Sequence, residues 1–139
     1  MMVRYKSKID FWLVFIPLFV VFLVTIIPVI LDDSYVVIFI NIPVILIVLG
    51  LFLNTYYDVS DKVLKISSGG FYKLNIPIIK IMKISETRSI LSSPASSLDR
   101  LEIAYNKYDR VMISPKDKSE FISKLLEINP NIEVKLKAK

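Results

Sequence analysis

Serines and lysines are the residues from which this chain could most readily build a reaction. Histidine and cysteine are both absent, which removes imidazole bases, thiolate nucleophiles, disulfides and the usual transition-metal ligands together. The segment holding Ser92, Ser93, Ser96 and Ser97 offers hydroxyls, and a desolvated lysine is the base that a Ser/Lys hydrolase uses to accept the serine proton. The same segment contains Pro94 and reads more simply as a loop, because serine and proline are turn residues. Beyond it stand Asp99 and Arg100, which as neighbours in a strand would point to opposite faces. The planar guanidinium of Arg100 suits an anionic group. Lys80, Lys83, Arg88, Lys116 and Lys118 would join it in a basic surface facing anionic lipid, and Arg88, Arg100, Lys116 and Lys118 are the candidate contacts for a partner or a membrane. Scattered cations also serve any solvated surface. Nucleic acid is not an expected partner, since the basic residues are interleaved with acids and most aromatics lie in apolar runs or on expected core faces. Gly69-Gly70 lacks the spacing and following helix of a phosphate-binding loop, and neither a cofactor nor a metal is expected.

The elements that would position these residues fall into two regions of different composition. Apolar residues make up 54% of the chain, yet 22% are charged, so the two kinds must be segregated. No charged side chain occurs from Phe11 to Leu31 or from Tyr35 to Leu53. As helices these runs are about 31 Å and 28 Å long, matching a bilayer's hydrocarbon core of about 30 Å. Only Asp32, Asp33 and Ser34 separate them, so they must run antiparallel as a hairpin. The first run is too long for a secretory signal and lacks a small-residue cleavage site. Arg4, Lys6 and Lys8 precede the hairpin and Lys62 and Lys65 follow it, while its loop has no base. The excess of bases outside the loop places both termini in the cytoplasm, making the chain a multi-pass protein of the cytoplasmic membrane. Asn41 and Pro43 lie inside the second run and are the candidate intramembrane packing residues, because an amide in lipid needs a hydrogen-bond partner and a proline frees a carbonyl. No ionisable residue lies in either run, so a proton or ion path has nothing to run on.

After Asn54 the pattern turns to short β-type runs. Residues 55–59, 63–67 and 71–76 read as a meander, with Ser67-Ser68-Gly69-Gly70 supplying a tight reversal. From Ile79 to Ser85 the alternation changes phase at Ile81-Met82, as a bulge requires. Arg100 to Tyr105 alternates cleanly, placing Leu101, Ile103 and Tyr105 on one face, with a turn over 106–109 and a return strand over 110–113. Ser114-Pro115-Lys116-Asp117 reads as a helix start, with serine as cap and proline at the first position. Phe121, Ile122, Leu125 and Leu126 then recur at helical spacing until Asn129-Pro130, and the lysine-rich tail reads as a short strand or a frayed end. The expected organisation is therefore an N-terminal stub and transmembrane hairpin over 1–54, then a mainly-β domain over 55–139. That domain is a curved antiparallel sheet or open barrel with one C-terminal amphipathic helix.

The run Ser92-Ser93-Pro94-Ala95-Ser96-Ser97-Leu98-Asp99-Arg100-Leu101-Glu102-Ile103-Ala104-Tyr105, followed by Ile113-Ser114-Pro115-Lys116-Asp117-Lys118 and Phe121, resembles the bacterial PH-like domain of the YyaB-like family. Tyr57, Leu64, Ile66, Gly69, Ile76 and Ile81 are consistent with it. The resemblance implies a PH-like fold in a small membrane-anchored protein, and with it a binding or regulatory module rather than an enzyme. Its expected partners are the lipid bilayer itself, a protein or, weakly, anionic headgroups. The alternatives are a membrane-bound Ser/Lys-type hydrolase and an accessory or immunity protein of a membrane complex.

Overall fold

The computed structural model describes residues 2–32, 35–88 and 97–137 of the chain, and the side chain of Asp32 is not described. Two apolar helices, α1 (Phe11–Asp32) and α2 (Val36–Leu53), lie side by side. Each is long and apolar enough to cross a membrane, and neither is buried by the rest of the chain. Pro17, Pro28 and Pro43 lie inside these helices without ending them. Asn41 finds its partner across the pair: its Nδ2 donates to Thr25 Oγ1 at 2.7 Å, and Thr25 Oγ1 donates to the Val21 carbonyl at 2.7 Å. The half-buried amide thus has a hydrogen-bond partner within its own hairpin.

The remaining elements form two four-stranded sheets with one helix against them. The first sheet has the order β1 (Val3–Lys6), β2 (Tyr56–Val59), β3 (Val63–Ser68), β4 (Tyr72–Pro77), all antiparallel. The second runs β7 (Asp109–Ile113), β6 (Arg100–Tyr105), β5 (Ile81–Thr87), β8 (Glu133–Lys135), with β8 parallel to β5. The expected meander and the clean alternation of β6 are both present, with Leu101 and Ile103 wholly buried. The phase shift is present as well, since the β5–β6 register slips between Ile81 and Lys83.

The structure adds a strand ahead of the hairpin. The segment expected to be a stub is β1, an edge of the first sheet, with Tyr5 opposite Tyr57. Arg4 pairs with the buried Asp58 through two hydrogen bonds, Nε to Oδ1 at 2.7 Å and Nη2 to Oδ2 at 3.1 Å, and its guanidinium lies 4.4 Å from the Tyr56 ring centroid. The two apolar helices are thus an insertion within a β1–β2 pair. Strand pairing on both sides of the insertion brings the chain back to where it left.

The helix start also differs from expectation. Helix α3 (Lys118–Ile128) is capped by Asp117, whose carboxylate accepts the Glu120 N–H at 3.1 Å. Ser114 and Pro115 are drawn instead into the end of β1, where Lys8 N–H donates to the Ser114 carbonyl at 2.7 Å and Lys116 N–H to the Lys6 carbonyl at 3.0 Å. The extended segment beside them satisfies these backbone groups, so the helix starts beyond them at Lys118. Phe121, Ile122 and Leu125 of α3 face the core, where the Phe121 ring meets Tyr5 and Tyr57 edge-on at 5.3 and 6.3 Å between centroids.

Candidate functional site

The densest set of polar contacts lies where the apolar hairpin joins the sheets. Three segments distant in the chain meet there: Ser7–Asp10 leading into α1, Asn54–Thr55 leaving α2, and Ser114–Lys116 after β7. Ser7 N–H donates to the Thr55 carbonyl at 3.1 Å, which pins the two legs of the hairpin to each other. Behind this seam is a buried cluster of hydroxyls. Tyr57 Oη accepts the Ser114 N–H at 3.1 Å and lies 3.2 Å from Ser7 Oγ, which is itself 3.2 Å from Ser114 Oγ. A polar cluster belongs here because β1 leaves one sheet and touches the other, and backbone groups stranded by that change need partners. Burial outweighs these hydrogen bonds and pushes the Tyr57 phenol above its ordinary pKa.

In front of the seam is a chain of charges. Asp99 accepts from Lys8 Nζ at 3.0 Å and also from Lys118 Nζ, which reaches Glu86 Oε1 at 2.7 Å. Glu86 Oε2 accepts the Lys137 N–H at 2.9 Å, tying β8's continuation to the same cluster. Asp10, the residue just before α1, accepts from Ser97 Oγ at 2.7 Å and from the Leu98 N–H at 2.8 Å. Arg100 Nε donates to the Ser97 carbonyl at 2.6 Å. One carboxylate at the helix entrance therefore fixes the residues that lead into β6.

The hydrogen bond from Lys118 holds Asp99 below the usual carboxylate range, with Lys8 adding to it. Glu86 is lowered likewise, first by Lys118 and then by the Lys137 amide. Burial works against the charge of Lys118, but its bonds to Asp99 and Glu86 prevail and raise its pKa. The carboxylates' contribution to stability is fully present above their unfolded pKa values and is lost as pH falls through the depressed folded ones. That of Lys118 is fully present below its unfolded pKa and fades as pH rises through the raised one. Thermal melts of the whole protein in micelles are accordingly expected to fall on acidification, and Lys118→Met is expected to flatten that fall. An equally steep fall in the variant would show that the cluster does not set the acid response.

The other leg is held by Thr55 and the β3–β4 turn. Thr55 Oγ1 donates to the Leu51 carbonyl at 3.1 Å and lies 3.1 Å from Ser68 Oγ. Gly69 has φ +60°, and a Cβ there would come 2.5 Å from Leu51 Cδ2 and 3.2 Å from its Cα. The turn thus rests directly on the last turn of α2, a contact that only glycine allows.

These contacts give the sheets two ends. The end near the hairpin holds residues 7–10, Thr55, the turn 69–71, residues 97–100 and Arg88. The far end holds Ile79 to Met82 and the turn at Asn106 to Tyr108, joined by Asn106 N–H to the Lys80 carbonyl at 3.1 Å. The cations expected to share one surface are dispersed between them. Arg88 is exposed at the near end. Lys116 is exposed and lines an open cleft of about 480 Å³ with Arg4, Tyr5, Lys6, Asp117 and Glu120. Arg100 is buried at 6% exposure with its Nε on the Ser97 carbonyl, and Lys118 is half-buried between the carboxylates of Asp99 and Glu86. Lys80 lies at the far end, and Lys83 faces Glu133 at 3.8 Å.

Ser97 is fully buried with its hydroxyl on Asp10, while Ser92, Ser93 and Ser96 lie outside the described residues. Among the described residues no group of acids is placed to hold a metal. In the sequence Lys8 counts only toward the orientation of the hairpin, and neither Asp10 nor Glu86 is among the candidates. Asp10 carried a signal, as a carboxylate directly abutting an apolar helix requires a donor nearby.

The family model for a bacterial PH domain matches residues 55–129. No curated protein matches the chain. Among solved structures, a chain of the Spt16D Pob3N heterodimer is similar at 9% identity with a TM-score of 0.44, over 60% of this chain and 45% of that one. This chain thus spans less than half the length of that chain.

Proposed function

Because the chain belongs to the bacterial PH domain family, we propose that it is a membrane-anchored binding or regulatory module whose sheets are held at the cytoplasmic face in one orientation. The pairing of β1 with β2 on either side of the apolar hairpin carries this reading. Two helices inserted in one strand pair must leave and return on the same side of a bilayer, and the bases at Arg4, Lys6, Lys8, Lys62 and Lys65 favour the cytoplasm for that side. A rigid seam at the hairpin base, with the opposite end free, suits presentation of a surface to a protein. At that far end Ile79, Met82 and Tyr108 are 75%, 48% and 82% exposed, an apolar set facing away from the anchor. The membrane itself is met by the hairpin and by Arg88 and Lys116, with each basic group near an anionic surface contributing about 1 kcal/mol.

For Lys118 and Ser97, the described members of the two candidate sets at this seam, the chemistry disfavours the hydrolase reading. A lysine base must lose its proton near neutral pH, whereas Lys118 is driven the other way, and the Ser97 hydroxyl is committed to a carboxylate.

An alkaline-phosphatase fusion at the C-terminus tests the orientation. Inactivity, with a fluorescent-protein fusion bright at the same point, is expected; high phosphatase activity would place the sheets outside. Affinity capture from membranes with the whole chain, compared with an Ile79→Asp, Met82→Lys variant, tests the far end. A co-purifying protein retained undiminished by the variant would exclude that surface.

A further inference from the structure

We infer that the β3–β4 turn is a second membrane element, with Phe71 and Tyr72 seated in the interfacial layer of the leaflet that the hairpin enters. The inference rests on the hairpin being a transmembrane anchor. Phe71 is 87% exposed and Tyr72 46%, two adjacent aromatics displayed outside the core. Their position supplies the reason. Gly69, two residues before Phe71, touches Leu51, and Leu51 is still inside the apolar helix that ends at Leu53.

Depth follows from helix geometry. Leu51 lies about 3 Å short of the helix end at 1.5 Å per residue. The 18 residues of α2 span about 27 Å, slightly less than a hydrocarbon core of about 30 Å. The end of α2 therefore sits at or just inside the hydrocarbon boundary, and a turn resting on Leu51 sits beside headgroups and upper acyl chains rather than water. Aromatic rings favour that layer, with Tyr offering a hydroxyl to the wet side. Lys73 follows, exposed, and can extend its ammonium outward along the same surface. The opposite leg has a matching feature: Asp10 fixes Leu98, which is 41% exposed, beside the start of α1. With apolar groups on both sides of the hairpin base, the sheets are restrained from rocking about it.

The chain's one tryptophan, Trp12, sits at the second position of α1 and serves as an internal reference for hairpin insertion. The whole protein is reconstituted in phosphatidylcholine vesicles with or without acyl chains brominated close to the glycerol, and tryptophan emission is compared. Quenching of Trp12 in the wild type reports that the hairpin is inserted. In Trp12→Phe, Phe71→Trp the indole at position 71 is expected to emit blue-shifted light and to be quenched about as strongly as Trp12, with Trp12→Phe, Tyr72→Trp behaving alike. In Trp12→Phe, Tyr108→Trp, in the turn between β6 and β7 at the far end, emission stays red-shifted and unquenched. Quenched Trp12 with unquenched indoles at both 71 and 72 would overturn the interfacial turn while leaving the anchor intact. Blue-shifted emission at 71 without bromine quenching would likewise overturn it, showing a protein surface over the turn. Quenching at 108 as strong as at 71 would overturn the fixed orientation, and an unquenched Trp12 would remove the anchor on which the inference stands.

Discussion

A chain beginning at residue 55 is expected to lose cooperative folding, whereas one in which about four Gly/Ser residues replace 11–53 keeps it. Without its first strand the protein loses Tyr5 from the core, the hydrogen bonds of Ser7 to Tyr57 and Ser114, and the Arg4 partner of buried Asp58. Emptying a buried aromatic site alone costs about 3–5 kcal/mol, set against a typical total stability of about 5–15 kcal/mol. An edge of β2 is also left bare for intermolecular pairing. Replacement of the hairpin avoids all of this, because Ser7 N–H and the Thr55 carbonyl are 3.1 Å apart. Packed helix axes are about 8–10 Å apart, within reach of four linking residues at about 3.3 Å each. Urea unfolding followed by circular dichroism distinguishes the two chains. Equal midpoints would mean that β1 contributes nothing to the domain.

Phe121→Ala in the hairpin-replaced chain is expected to lower stability by about 3–5 kcal/mol. The ring has no exposure and lies edge-on to Tyr5 and Tyr57, so truncation opens a cavity at the point where α3 meets the first sheet. Neighbours drawn from a strand, a second strand and a helix cannot all shift inward to fill it. Tyr108→Ala, at 82% exposure, serves as the comparison and is expected within about 0.5 kcal/mol of the parent. A loss below about 1 kcal/mol for Phe121→Ala would mean that α3 is not part of the packed core.

The sequence by itself determined the features whose physical cause is local. An apolar run of bilayer length is visible without knowing any neighbour, and so is the period-2 pattern that buries Leu101 and Ile103. The slip of phase at Met82 was legible as the bulge now seen between Ile81 and Lys83. The Phe121 and Leu125 stripe announced an amphipathic helix, and the resemblance carried by the residues of 92–105 and 113–121 agrees with the bacterial PH domain match over residues 55–129.

Only the tertiary structure decided what depended on distant partners. Val3 to Lys6 is too short to show a period, and its pairing requires Asp58, 54 residues from Arg4, to return across an intervening hairpin. Ser114 and Pro115 carry a helix-start signal, yet they serve as strand partners because the backbone groups of Lys6 and Lys8 lie beside them and pair with this segment. Arg100 and Lys118 look like surface cations in one dimension. Folding brings Asp99 and Glu86 to Lys118 and the Ser97 carbonyl to Arg100, partners that no local pattern announces. Asn41 likewise gave no sign of Thr25, since the angle at which two helices meet is set by their packed surfaces and not by either sequence alone.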